Sequence, residues 1–345
     1  MLTDQEIERT AEALVTPGKG ILAMDESTPT CGKRFNEFGI ENTAEKRRDY
    51  REMLLATPRL SQYISGAILY DETLRQSATD GMPLGELALI NGIIPGIKVD
   101  AGAKDLAGHR GEKITEGLDR LRERLAEYRK LGARFAKWRA VITIGPTIPS
   151  RACLEANAHA LARYAALCQE ANITPIVEPE VLLDGDHSLA RCYEVTKATL
   201  NEVFYQLHHQ DVLLSGMILK ASMVLPGKNC PDKATPDQVA RETIRCLRNT
   251  VPAAVPGVAF LSGGQTDLQA TEHLNAMNRL AKKMHLPWQL TFSYARALQH
   301  APLSIWRGDP ANVAKAQQAL LQRARCNSAA STGEYTETME REVTT

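Results

Sequence analysis

The chain has 345 residues, 43% of them hydrophobic, with 41 basic and 41 acidic side chains that leave no formal net charge. It is long enough to bury a sizeable core, and its neutral balance argues against nucleic acid or an anionic membrane as the main partner. No apolar run approaches the roughly 18 residues of a membrane span.

In chain order, Met1-Leu2-Thr3-Asp4-Gln5-Glu6 lacks the look of a signal or transit peptide, which predicts the cytoplasm, or the plastid stroma for a processed chain. Apolar runs that read as buried parallel strands then recur near 20–25, 64–70, 94–99, 135–144, 174–179, 215–220, 257–262 and 288–293. Amphipathic stretches lie between them. In 151–172, Leu154, Ala158, Leu161, Ala165 and Cys168 recur at helical spacing, and 115–131 and 309–325 also read as helices. Eight strands alternating with helices predict an α/β protein, a single (β/α)8 TIM barrel over residues 1–325. Residues 326–345, rich in Ser, Thr and Glu, read as a flexible polar tail. The chain has neither a G-x-G-x-x-G turn nor a Walker loop. Its seven cysteines include no C-x-x-C pair and read as reduced thiols. The eight histidines show no metal-binding spacing, so no metal is expected.

Barrel active sites form at the C-terminal ends of the strands, and charged residues collect there. Lys98, Lys137 and Lys220 end apolar runs, although lysine is rarely buried without a partner. Lys220, in the most apolar of the three runs and with no nearby acid in sequence, is the expected nucleophile, since desolvation and neighbouring cations lower an amine's pKa and leave more of it as free base; the alternative is a lysine snorkelling at the rim. Asp25 ends the first run and reads equally as a catalytic acid or a turn residue. Glu178 and Glu180, two apart in extended chain, face one side, where mutual repulsion would suit acid/base work; turn acids paired with lysines are the alternative. Lys137 and Arg139 share a face in the same way. Ser262-Gly263-Gly264 follows the seventh run, and Ser293-Tyr294-Ala295-Arg296 ends the eighth, where barrel enzymes often bind phosphate. Lys33-Arg34, with Ser27 and Thr30, offers a weaker second anion site. Amines and carboxylates gathered in this way suit a Schiff-base enzyme acting on a phosphorylated carbonyl compound.

Segments spread along the chain resemble the class I fructose-1,6-bisphosphate aldolases, in their plastid and bacterial wording: Gly20-Ile-Leu-Ala-Met-Asp-Glu-Ser-Thr, Gly96-Ile-Lys-Val-Asp, Ala136-Lys-Trp-Arg, Pro175-Ile-Val-Glu-Pro-Glu, Asp184-Gly-Asp-His, Leu219-Lys, Met223-Val-Leu-Pro-Gly, Phe260-Leu-Ser-Gly-Gly-Gln and Thr291-Phe-Ser-Tyr-Ala-Arg. The resemblance implies reversible cleavage of fructose 1,6-bisphosphate to dihydroxyacetone phosphate and glyceraldehyde 3-phosphate, in glycolysis and gluconeogenesis or the Calvin cycle. Lys220 would form the Schiff base and Glu178 would shuttle protons. Asp25 would take the hydroxyl proton, Lys137 would position both acids, and Glu180 and Lys98 would complete the charge network. Ser262, Gly263, Ser293 and Arg296 would hold one phosphate; Ser27, Lys33 and Arg139 would favour the other. The iminium is the electron sink, so no cofactor is required. Partners would be sugar bisphosphates and triose phosphates, with no nucleic acid or membrane, and the subunits would form a homotetramer. Two alternatives stay open: a preference for sedoheptulose 1,7-bisphosphate, and a non-catalytic barrel with a binding role. Departures from the family wording are Ala221-Ser222 where Pro-Asn is frequent, Thr30 for serine, Ala295 for glycine, and Val343-Thr344-Thr345 in place of the terminal tyrosine of animal members. The last leaves open which group protonates the enamine.

Overall fold

The computed structural model describes residues 2–341; Val343, Thr344 and Thr345 lie outside the described residues. Ten strands run β1 Gly20–Ala23, β2 Ile64–Leu69, β3 Ile94–Lys98, β4 Gly102–Asp105, β5 Lys113–Glu116, β6 Phe135–Ile142, β7 Thr174–Val181, β8 Ile218–Ala221, β9 Gly257–Phe260 and β10 Gln289–Tyr294. Eight of them close into a parallel barrel in the order β1-β10-β9-β8-β7-β6-β3-β2. Each of the eight runs read as a strand contributes one. Closure is made by β1 against β10, with Ile21 opposite Ser293.

Strand alternation divides the side chains between two cores. On β6, Ala136, Trp138 and Ala140 face the outer core beneath the helices. Phe135 points inward, into one cluster with Ile21, Ala23, Ile68, Ile176, Ile218 and Ala259. Ala11, Leu14 and Val15, from the helix Leu2–Leu14 and the residue after it, seal this inner cluster. Ser65 Oγ donates to Leu14 O at 2.6 Å and Thr174 Oγ1 to Ile7 O at 2.8 Å, fixing that plug to the strands. Room for the Phe135 ring exists because β3 carries Gly96 beside it: a Cβ there would lie 2.3 Å from the ring. The interior is therefore a packed apolar floor, and the inward positions above it are free for polar chemistry.

Two expectations are corrected. The stretch 115–131 is helical only over Leu121–Lys130; its start belongs to an antiparallel hairpin of β4 and β5, with Gly102 opposite Glu116. Asn157 ties this hairpin down, donating from Nδ2 to Lys113 O at 2.8 Å, and Thr115 Oγ1 donates to Arg139 O at 2.8 Å. The expected tail does not begin at 326. The last long helix spans Val313–Ser331 and buries Cys326, Asn327 and Ala330. Asn327 Oδ1 accepts from Thr271 Oγ1 at 2.8 Å, which removes the cost of burying its amide. Beyond the helix, Asn275 clamps the Tyr335 backbone, accepting from its N–H at 3.1 Å and donating to its carbonyl at 3.3 Å. Polar composition concealed these contacts because Asn327 and the Tyr335 backbone each have a specific buried partner.

Candidate active site

Above the apolar floor, the next inward positions carry charge. Lys137 follows Phe135 by two on β6, Glu178 follows Ile176 on β7, Lys220 follows Ile218 on β8, and Lys98 follows Gly96 on β3; Asp25 lies just past the end of β1. Lys98 and Lys137 are register partners across β3 and β6, as are Arg139 and Glu178 across β6 and β7. These side chains line a cavity of about 520 Å3 at the C-terminal mouth of the barrel.

Its centre is a chain of ion pairs. Lys137 Nζ lies 2.7 Å from Asp25 Oδ2 and 3.4 Å from Glu178 Oε2, and Lys220 Nζ lies 3.2 Å from Glu178 Oε1. Lys137, Glu178 and Lys220 are all under 5% exposed. Burial alone would raise the Asp25 pKa, but the ammonium groups of Lys137, Lys220 and Lys98 overcome it and hold the carboxyl at about 2. Burial likewise disfavours the Lys137 ammonium, and Asp25 and Glu178 reverse that, keeping its pKa above the ordinary amine range. Lys220, with no acid near it in sequence, thus has one in space.

Toward the rim, Arg139 pairs with Glu180 through Nε, and its pKa rises because that carboxylate outweighs burial. Glu178 and Glu180 therefore answer separate cations instead of repelling one another freely. Asp100 accepts from Lys98 Nζ at 2.5 Å, from Gly102 N at 3.1 Å and from Arg139 N at 3.2 Å, joining β3, the hairpin and β6.

The structure brings Asp25, Ser27, Lys98, Lys137, Arg139, Glu178, Glu180, Lys220, Ser262, Gly263, Ser293 and Arg296 to this one cavity. Lys33 is not among them: it is exposed on the helix Thr28–Asn36, and Arg34 lines the wall in its place. One residue along a helix turns the side chain by about 100°, so the Lys-Arg pair alone did not reveal which of the two faces inward. Arg34 is held by Glu26, which also accepts from Gln299 Nε2 at 2.8 Å. Glu26 and Tyr70 line the cavity as well; neither was singled out from the sequence, although Glu26 adjoins Asp25. Ser293 Oγ is buried and has no protein hydrogen-bond partner, as suits a group kept for a ligand. Among the described residues no cluster of three or more His, Cys, Asp or Glu side chains is arranged for a metal ion, and all seven cysteines are free and buried.

A family model described as fructose-bisphosphate aldolase class-I matches residues 6–345. The chain belongs to the class I fructose-bisphosphate aldolase family. It is accordingly a carbon–carbon lyase acting on fructose bisphosphate. Among its relatives, a probable fructose-bisphosphate aldolase class 1 of Xanthomonas campestris pv. campestris is 59% identical, over 96% of this chain and 98% of that one. A cytosolic fructose-bisphosphate aldolase 5 of Arabidopsis thaliana is 52% identical over 96% and 92% of the two chains. A chloroplastic aldolase 1 of Chlamydomonas reinhardtii is 51% identical over 98% and 88%. The barrel also superposes on the fructose-bisphosphate aldolase of Plasmodium falciparum, solved with TRAP and a small-molecule inhibitor, with a TM-score of 0.95 at 48% identity, covering 97% of this chain and 96% of that chain. Among the described residues no helix is long and apolar enough to cross a membrane.

Proposed function

We propose that this aldolase cleaves fructose 1,6-bisphosphate through a Schiff base on Lys220. The observation that carries the proposal is the Glu178 carboxylate shared by two buried ammonium groups, Lys220 at 3.2 Å and Lys137 at 3.4 Å, with Asp25 on the far side of Lys137. Lys220 gives a proton to Glu178, and the free amine attacks C2 of the open-chain ketose. Glu178 returns a proton to the carbinolamine hydroxyl, which leaves as water and generates the iminium. Asp25, kept ionised by its three lysines, accepts the proton of the C4 hydroxyl. The C3–C4 bond then breaks, its electron pair flows into the iminium to form an enamine, and glyceraldehyde 3-phosphate departs. Protonation of the enamine and hydrolysis of the resulting iminium release dihydroxyacetone phosphate. Lys137 keeps Asp25 charged and holds the two acids in register throughout.

The cavity walls support a bisphosphate. Ser262, Gly263, Ser293 and Arg296 line the cavity from the ends of β9 and β10 and the segments that follow them, where Gly264 adopts φ +78° and the chain then enters the helix Asp267–Met284. Ser27, Thr30 and Arg34 line it from the segment after β1, and Lys98 and Arg139 from β3 and β6. The relatives named above include cytosolic and chloroplastic aldolases, and we infer a cytoplasmic or stromal homotetramer serving sugar-phosphate metabolism. Borohydride trapping with dihydroxyacetone phosphate, read by peptide mass spectrometry, tests the mechanism. A reduced adduct on Lys220 is expected. An adduct on Lys98 or Lys137, or none in folded protein, refutes it.

A further inference from the structure

The turn that would receive the dihydroxyacetone half's phosphate has an anchor behind it. Ser262 to Gln265 leave β9 and are closed by Gln265 N–H donating to Ser262 O at 3.0 Å. Two consecutive glycines make this turn pliable. Gly264 holds a positive φ, and Gly263 is so close to Glu180 that a Cβ would come within 2.8 Å of its Oε1. Such a backbone can present its N–H groups to an anion only if something fixes its ends. Thr266 fixes the far end by a reciprocal capping box with Gln269. At Gln265 the side chain turns inward instead, 7% exposed, and its Oε1 lies 2.6 Å from Nδ1 of His273, itself 6% exposed. His273 stands on the helix that follows, eight residues after Gln265 and six after the first helical residue, Asp267. An amide oxygen cannot donate, so the imidazole carries its proton on Nδ1. Burial pushes the His273 pKa down to about 4, so the ring is neutral while it makes this bond.

We propose that His273 is a positioning residue for the phosphate-binding turn: by holding Gln265 it fixes the backbone of Ser262–Gly264 for the phosphate of the dihydroxyacetone half. The role rests on the Schiff-base reading above, and it is separate from the chemistry at Lys220. Removing the donor leaves the Gln265 oxygen buried without a partner and frees the turn, so the effect falls on phosphate binding. Fructose 1-phosphate, which carries only that phosphate, is the probe.

His273→Leu is expected to raise KM for fructose 1-phosphate about tenfold, as loss of one buried hydrogen bond implies, with kcat within about twofold. His273→Asn, whose amide nitrogen takes the place of Nδ1, restores the wild-type KM. Gln265→Met reproduces the leucine effect from the other side, and serves alone if His273→Leu does not fold; the double variant shows no further rise, because both changes break one bond. Borohydride trapping of unphosphorylated dihydroxyacetone on Lys220 stays at the wild-type rate in all of them. An unchanged KM in the leucine and methionine variants overturns the inference, as does an equal loss of dihydroxyacetone trapping, which marks general damage. Absence of any Lys220 adduct in the wild type instead overturns the Schiff-base reading.

Discussion

Replacing Lys137 by methionine should turn a pH-independent base into one that titrates. Asp25 is held at about 2 against its own burial, and the nearest of the three responsible cations is Lys137, 2.7 Å away. At an effective dielectric constant of about 20, a pair at that separation interacts by about 6 kcal/mol, which corresponds to about four pH units. Lys220 and Lys98 remain in the variant, and burial continues to favour the protonated acid. The wild-type enzyme should therefore show no acid limb from Asp25 between pH 5 and 9. Lys137→Met should show one with a midpoint of about pH 6, beneath a lowered plateau. The assay is kcat/KM for fructose 1,6-bisphosphate across that range, followed by coupled oxidation of NADH. A variant profile as flat as the wild type's would mean that Lys137 is not what keeps Asp25 ionised.

Other outcomes follow from the same geometry. Arg34→Ala should raise KM for fructose 1,6-bisphosphate about tenfold or more, as expected for losing a charge-assisted contact, whereas Lys33→Ala leaves it within about twofold; equal effects would contradict the helix phase. Gly96→Ala forces a methyl against Phe135 and should destabilise the barrel by about 1–3 kcal/mol in urea unfolding, with part recovered by a second change, Phe135→Leu. The depressed Asp25 pKa, about 2 in the folded state against its ordinary 3.8, contributes about 2 kcal/mol of stability above pH 3.8. That contribution is lost as pH falls through the folded value, so the stability difference between wild type and Asp25→Asn should shrink between pH 5 and 2; a pH-independent difference would refute the linkage.

The strands were legible because a strand buried on both faces leaves an uninterrupted apolar run, and charges at the ends of such runs could go only to the mouth. Alternation by two then placed Lys137 with Arg139, and Glu178 with Glu180, on inward faces. What the sequence concealed lay in relations between elements. The partner of Lys220 is Glu178, more than forty residues earlier, and strand registry alone brings them together. The choice between Lys33 and Arg34 depended on the rotation of one short helix against the barrel. The β4–β5 hairpin has strands of four residues with little apolar content, and its best signal was the spacing of glycines at 102, 108, 111 and 117, all with positive φ. The order of the segment after 325 was hidden because Asn327 and the backbone of Tyr335 obtain their hydrogen bonds from Thr271 and Asn275, some sixty residues distant.

The seam between β1 and β10 also sets a timetable for synthesis. Asp25 leaves the ribosome with the first tenth of the chain, yet the strand that must lie beside its own, ending at Tyr294, is among the last to emerge. Until then the inner apolar cluster has an open side and the Asp25 carboxylate lacks an enclosed site to serve. Contacts of such long sequence separation form slowly, and a nascent barrel with two unpaired edges is exposed to wrong partners in the meantime. Activity should thus appear all at once, late in translation, and nascent chains stalled before residue 289 should be inactive and readily cleaved by protease.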